Sequence, residues 1–413
     1  MSKISRRDFT GSALATATSL AVGTGRARAQ AAKIVALGGS VPFSGAQANT
    51  GLNVYEGYQV VVKYINEKMG GFKVGGETCK LELKMIDDAS DPQRAVTLIQ
   101  KQIDDGIDFF LGSFSSAIVL PTVAVTERAR KPMLQAGGGS DQIFTHGYKY
   151  SFGIYPRASR QLDSFIDMLK SMKPQVQSVS IMVTNDPYGI TLVTGATDAI
   201  KEAGLTLIDT YKLPPTVRDV SGVLTSVRGN PPDVLIAVTH EDISQLVIQQ
   251  MVATDTNVKM LHMPLGPEIE AFRKTLGKYS DELLTLQFWD PRLKYQDPIF
   301  GTTQAYYEWL KANSQRIWSN QTVAASACII CFVQAMQKAG TLDPAAVRDA
   351  IAALDFTSFY GPIKWTEQGD GNAVLMGPKV GQVQNGVMEI VHPTAAATAK
   401  LVSPMTPWAA RKG

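Results

Sequence analysis

Two short stretches of this 413-residue chain place hydrogen-bond donors where a small anion could meet them. In the first, an apolar run at 107–111 passes through Gly112 into Ser113, Phe114, Ser115 and Ser116, where the spacing of apolar residues predicts the start of a helix. The opening turn of a helix carries N–H groups with no partner of their own, and serine hydroxyls beside them add further donors. In the second, a strand expected at 132–135 ends in Ala136, Gly137, Gly138, Gly139 and Ser140. Glycines there leave no side chains to keep a ligand from the backbone. Two adjacent strand ends with donors at one edge make a crevice of the kind in which open α/β sheets bind ligands. The expected chemistry is capture of a small anion.

Catalysis is less well supported. There is no Gly-x-Ser-x-Gly elbow and no phosphate-binding Gly-Lys-Ser/Thr loop, and the three glycines lack the spacing of a dinucleotide turn. The histidines at 146, 240, 262 and 392 show no ligand spacing, so neither a metal nor a cofactor is expected. Cys328 and Cys331 lie inside an apolar, helix-like run and Cys79 stands apart, which reads as buried thiols rather than a disulfide framework.

The elements that must position these groups repeat. A strand at 33–38, a helix after Thr50, a strand at 81–86 and a helix opened by Asp91-Pro92 lead into the donor-bearing stretch. The pattern restarts after residue 153, with strands at 179–183, 205–211, 233–238 and 258–262 separated by helices. Alternating strands and helices predict parallel sheets covered on both faces, here as two like-built lobes. Long helices are expected at 298–313, 322–338 and from Asp343-Pro344 to about 354, then short strands, then an alanine- and proline-rich tail from 393 expected to be poorly ordered.

Ser5-Arg6-Arg7-Asp8-Phe9, an apolar stretch at 13–22 and Ala27-Arg28-Ala29 read as a twin-arginine export signal removed near Ala29. The formal charge of +3 then disappears. Without Lys3, Arg6, Arg7, Arg26, Arg28 and Asp8, the 40 basic and 37 acidic residues become 35 and 36, so no nucleic-acid partner is expected. No later apolar run is read as a membrane span, and the expected location is the periplasm.

From about residue 33 to 393 the chain resembles the solute-binding proteins of ABC importers for branched-chain amino acids and related amides and carboxylates. The resemblance rests on Pro42-Phe43-Ser44-Gly45, residues 66–71, Asp87-Asp88-Ala89-Ser90-Asp91-Pro92, residues 112–121, Asp186-Pro187-Tyr188-Gly189, and Gly361-Pro362-Ile363-Lys364-Trp365 with Gly369-Asp370-Gly371. It implies a type I periplasmic binding fold: two Rossmann-like, doubly wound α/β lobes joined by a three-strand hinge, closing like a flytrap. The expected division is 1–29 signal, 33–155 plus 287–361 first lobe, 156–286 plus 362–393 second lobe, and 394–413 tail. Expected partners are a small carboxylate or amino acid and the membrane permease, for a protein working as a monomer. A binding protein feeding a separate receptor is the alternative, and an exported α/β enzyme a weaker one.

The resemblance also implies site residues. Ser116 and the loop from Ala136 to Ser140 would hold a carboxylate, with Ser115 beside them. Tyr188 and His240, the latter standing where relatives carry tyrosine, would meet the ligand from the second lobe. Thr50 replaces an aromatic residue, and a threonine of the relatives falls at Gly139. The acid that meets an amine aligns with Glu268 in one register and with Leu265 in another; Glu241 is a further candidate. An unpaired ammonium in a closed crevice is costly, so without an acid there the ligand lacks an amine. Ser115 and Ser116 could instead cap a helix, Glu241 and Glu268 could be solvated loop acids, and Phe43 could pack between lobes rather than touch ligand. Ser116→Ala is expected to weaken binding while leaving the melting temperature of the free protein nearly unchanged.

Overall fold

A computed structural model describes residues 32–411; the expected export signal and its cleavage point lie outside the described residues. The first sheet is built from β1 (Lys33–Val41), β2 (Phe72–Val74), β3 (Glu77–Asp87), β4 (Phe109–Leu111), β5 (Met133–Gln135) and β6 (Ser151–Gly153), in the order β2-β3-β1-β4-β5-β6. All its pairings are parallel except the β2-β3 hairpin. That hairpin, turned by Gly75 and Gly76 at positive φ, was not anticipated. β4, β5 and β6 are buried at every position, as parallel strands covered on both faces must be.

The second sheet contains β7 (Ser178–Thr184), β8 (Thr206–Leu213), β9 (Val234–Val238), β10 (Met260–His262), β11 (Leu284–Gln287), β12 (Lys379–Gln384) and β13 (Val387–His392), in the order β13-β12-β11-β10-β9-β7-β8. β7 to β11 run parallel, and β12 and β13 are added antiparallel. In each sheet the strand order reverses at one place, between β1 and β4 and between β7 and β9. Loops diverge to opposite faces there, which opens a crevice at the carboxyl ends of the strands.

Four helices begin at those crevices. Helices α1 (Ala48–Lys63) and α2 (Ser116–Arg128) follow the loops after β1 and β4. Helices α3 (Pro187–Glu202) and α4 (Glu241–Ala253) follow the loops after β7 and β9. A fifth, α5 (Asn320–Ala339), opens with a Ser319–Thr322 capping box and stops at Gly340 in the left-handed conformation. It starts two residues earlier than expected. It is also long and apolar enough to cross a membrane, contrary to the sequence reading, yet 78% of its apolar window is buried within the protein. Gly57 of α1 permits that burial, since a Cβ there would lie 2.1 Å from the carbonyl oxygen of Thr322. Cys328 and Cys331 sit in α5 as buried free thiols.

Two expectations fail locally. The helix expected from 298 begins only at Thr303, because Asp297 accepts the N–H groups of Ile299, Phe300 and Phe359 and pins a short hairpin instead. The tail expected to be poorly ordered is packed. Gln382 and Gln384 donate to the carbonyls of Val402 and Lys400, Thr406 donates to Glu282, and Trp408 is buried with its indole N–H on the Thr256 carbonyl at 2.7 Å. Trp408→Ala is therefore expected to lower the unfolding free energy by about 3 kcal/mol, read as a shift of the urea midpoint. An unchanged midpoint would show that the tail carries no stability.

Candidate ligand-binding site

The chain crosses between the sheets three times: after β6, after β11 and before β12. The crossings are tied to one another. Gly371 donates its N–H to the carbonyl of Tyr155 at 3.0 Å, and Arg157 forks onto Asp370 with contacts of 3.1 and 2.8 Å. Tyr155 and Phe288, from the first two crossings, pack with ring centroids 4.4 Å apart. They line a small cavity of about 40 Å³ between the two strand-end crevices.

Ser116 organises the first-lobe wall. Its Oγ accepts the N–H groups of Gly139 and Ser140 at 3.0 and 3.1 Å. Both lone pairs are thereby used, so the hydroxyl hydrogen is what remains to be offered. Ser115 makes no side-chain cap for α2; its Oγ accepts from Gln47 at 3.1 Å. The glycine run works differently from the sequence expectation. Gly137 and Gly138 donate to Gln135 Oε1 at 2.9 and 2.7 Å, so the four amides from 137 to 140 are all engaged within the protein. A Cβ at Gly137 would lie 1.9 Å from the Ser113 carbonyl, and one at Gly138 would lie 2.6 Å from Ile143. Those glycines are needed for loop packing. Ala136, Gly137 and Gly139 line the cavity, whereas Gly138 and Ser140 do not; Ser140 Oγ pairs instead with Thr191 of α3 at 3.1 Å.

Tyr188 and His240 form the facing wall. The Tyr188 hydroxyl donates to Gln161 Oε1 at 3.0 Å, which leaves its ring to the cavity. His240 Nε2 lies 3.2 Å from Asp186 Oδ2, and Nδ1 is buried without a partner. Asp186 also accepts from Thr184 and from the amides of Tyr188 and Gly189. Burial works to raise the pKa of Asp186, but the contacts with His240, Gly189 and Thr184 outweigh it and hold the carboxyl at about 2. Asp186 thus caps α3 and fixes the imidazole together.

The remaining candidates fall elsewhere. Thr50, Glu241 and Glu268 line a larger adjoining cleft rather than the inner cavity. Glu241 accepts from Asn49 Nδ2 at 2.9 and 3.1 Å and bridges α4 to α1. Phe43 lines neither space and packs edge-on against Tyr55 at 4.9 Å. Leu265 reaches the inner cavity. Glu268 is buried with Oε2 on the Gly266 N–H at 2.7 Å, and burial pushes its carboxyl up to about 8. Among the described residues, no carboxylate side chain lines the inner cavity.

Sequence reasoning missed Tyr155, Gln161, Phe288, Asn320 and Gln321, which with Phe114 and Pro264 complete that lining. Tyr155 and Phe288 lie on crossings that the sequence reading treated as boundaries. Asn320 and Gln321 precede the expected start of their helix, and the Ser319 cap was the signal available for them.

The fold and the cavity can now be set beside known proteins. A family model described as "Periplasmic binding protein" matches residues 34–386. Leu/Ile/Val-binding protein homolog 8 of Brucella abortus (strain 2308) is 25% identical over 384 residues, covering 89% of this chain and 92% of that protein. The substrate binding protein LivJ of Streptococcus pneumoniae, in complex with isoleucine, superposes with a TM-score of 0.74 at 17% identity, covering 90% of this chain and 100% of the other. A solute binding protein of an ABC transporter from R. palustris, in complex with benzoate, gives a TM-score of 0.72 at 17% identity, with coverage of 89% and 98%. The chain belongs to the periplasmic binding proteins, in the two-lobed type I form of the branched-chain amino acid ABC type, and is a solute-binding protein rather than an enzyme.

Proposed function

We propose that this protein captures a small carboxylate without an adjacent ammonium group and delivers it to the membrane subunits of an ABC importer. The observation that carries the reading is the asymmetry of the inner cavity. Ser116 offers a hydroxyl hydrogen, with the open first turn of α2 beside it, and among the described residues no carboxylate lines the cavity. Removing an ammonium from water without a counter-charge costs several kcal/mol, more than the roughly 1.5–3 kcal/mol of a charge-assisted hydrogen bond. The apolar walls, among them Phe114, Tyr155, Leu265 and Phe288, suit an aromatic ring or a branched chain. The relative bound to benzoate and the one bound to isoleucine mark the two ligand classes between which this cavity chooses.

On this reading the lobes comprise 33–155 plus 287–361 and 156–286 plus 362–393, and the chain is exported, cleaved near Ala29 and active as a monomer. A ligand touching both walls stabilises only the closed form and shifts the population toward it.

Calorimetric titration tests this. Benzoate is expected to bind at least about tenfold more tightly than leucine, a difference of about 1.4 kcal/mol; equal or reversed affinities would overturn the reading. Tyr155→Phe removes a buried hydroxyl that has no partner in the protein, so it should weaken benzoate binding while raising, or at least not lowering, the melting temperature of the free protein. Ser116→Ala should weaken binding and also cost about 1–3 kcal/mol of stability, because two buried amides lose their acceptor. That replaces the expectation of an unchanged melting temperature.

Glu268 gives a pH signature. Its pKa is raised from 4.5 to about 8, so its contribution to stability is full below 4.5 and is lost as pH rises through 8. Between those limits the stability difference should move by several kcal/mol in favour of Glu268→Gln. Parallel denaturation profiles for the two proteins would show that the carboxyl is charged and paired.

A further inference from the structure

The inner cavity shares His240, Gln321, Leu265 and the Phe114–Ser115 edge with the adjoining cleft, so the two form one continuous space. Four polar atoms on residues lining that cleft are buried without partners: Gln47 Oε1, Gln321 Oε1, Glu268 Oε1 and His240 Nδ1. Gln321 and Glu268 are each only 4% exposed. An unpaired buried polar group costs about 1–3 kcal/mol, and here four are gathered around one space.

Three of the four are not free to turn away. Gln47 is anchored through Nε2 on Ser115 Oγ at 3.1 Å, Glu268 through Oε2 on the Gly266 amide, and His240 through Nε2 on Asp186. In each of these three residues one polar atom is engaged within the protein and the other is left unmet. The two glutamine oxygens are acceptors in any state. The space therefore holds two acceptors to be met by a donor, and beside them a Glu268 oxygen that, with Oε2 on the Gly266 amide, is left to carry the carboxyl proton.

We infer that the ligand carries, at the end away from its carboxylate, an uncharged group that both donates and accepts hydrogen bonds, such as a hydroxyl or a primary amide, its hydrogen received by Gln321 and Gln47 and its oxygen met by Glu268. The substrate class is then hydroxylated or amide-bearing acids rather than plain hydrocarbon acids. The inference rests on the carboxylate reading of the inner cavity. A distal ammonium is disfavoured because three of the four acids lining the cleft are engaged or neutral, and the fourth, Asp242, is exposed to solvent. Asp186 is held by His240 and two amides, Glu241 by Asn49, and Glu268 is kept protonated at pH 7 by burial.

The test is calorimetric titration of the full chain at pH 7 with benzoate, 4-methylbenzoate and 4-hydroxybenzoate, the methyl compound controlling for size. 4-Hydroxybenzoate is expected to bind about tenfold or more tightly than either of the others, since a site built around a hydroxyl rejects the analogue that lacks it. That preference should fall to within about threefold in Glu268→Leu and Gln321→Leu and persist in Glu268→Gln, which keeps a neutral donor of the same shape. If 4-methylbenzoate binds wild type as tightly as 4-hydroxybenzoate, the space holds only water or apolar groups and the inference is wrong, while the carboxylate reading stands. If none of the three acids binds, the carboxylate reading fails and takes the inference with it.

Discussion

A serine oxygen that accepts two backbone N–H bonds can offer only its own hydrogen, and at Ser116 that hydrogen belongs to the wall of a cavity. The arrangement needs the loop at 136–140 to lie against the start of α2, which the structure secures several times over. Gln135 gathers the amides of Gly137 and Gly138. Gly137 lets the loop approach Ser113 more closely than any side chain would allow. Behind them, Tyr58 donates to the Gly112 carbonyl at 2.8 Å and Ser113 to Asp88 at 2.6 Å. The donor is thus pre-oriented before a ligand arrives, which limits the entropy that binding must overcome.

Everything else follows from where the chain reverses its strand order. Each sheet opens a crevice at its reversal, and the three crossings set the two crevices against each other with Tyr155 and Phe288 between them. The second crevice brings an imidazole fixed by Asp186 and a tyrosine whose hydroxyl is already occupied. It brings no carboxylate to the inner cavity, because Leu265 occupies that wall and Glu268 is set back in the neighbouring cleft. Selectivity on this account resides in the second lobe, and the first lobe supplies the anion contact common to any acid.

Much of this was legible locally. Asp91-Pro92 and Asp343-Pro344 announce helix starts, and each aspartate does cap its helix; Asp186-Pro187, read only as part of a family motif, caps a helix in the same way. Ser116 could be picked out from the donors expected after its strand, and Tyr188 and His240 from the family resemblance, and the structure brings all three around one cavity. What stayed hidden depends on partners far away in the chain. Arg157 meets Asp370 at a separation of 213 residues and Asn49 meets Glu241 at 192, so neither the floor nor the lip of the cleft has a local signature. The tail misled because its composition resembles a linker, while Trp408 and Met405 find their seat against residues about 150 positions earlier. The glycine run misled in another way: missing side chains looked like room for a ligand and serve instead as room for another loop.

The most direct measurement is a crystal structure of the chain with benzoate bound. The account predicts the carboxylate within hydrogen-bond distance of Ser116 Oγ and the first amides of α2, with the ring between Tyr155, Phe288 and Leu265. A ligand whose carboxylate points to the second lobe, or which lies outside the inner cavity, would contradict it.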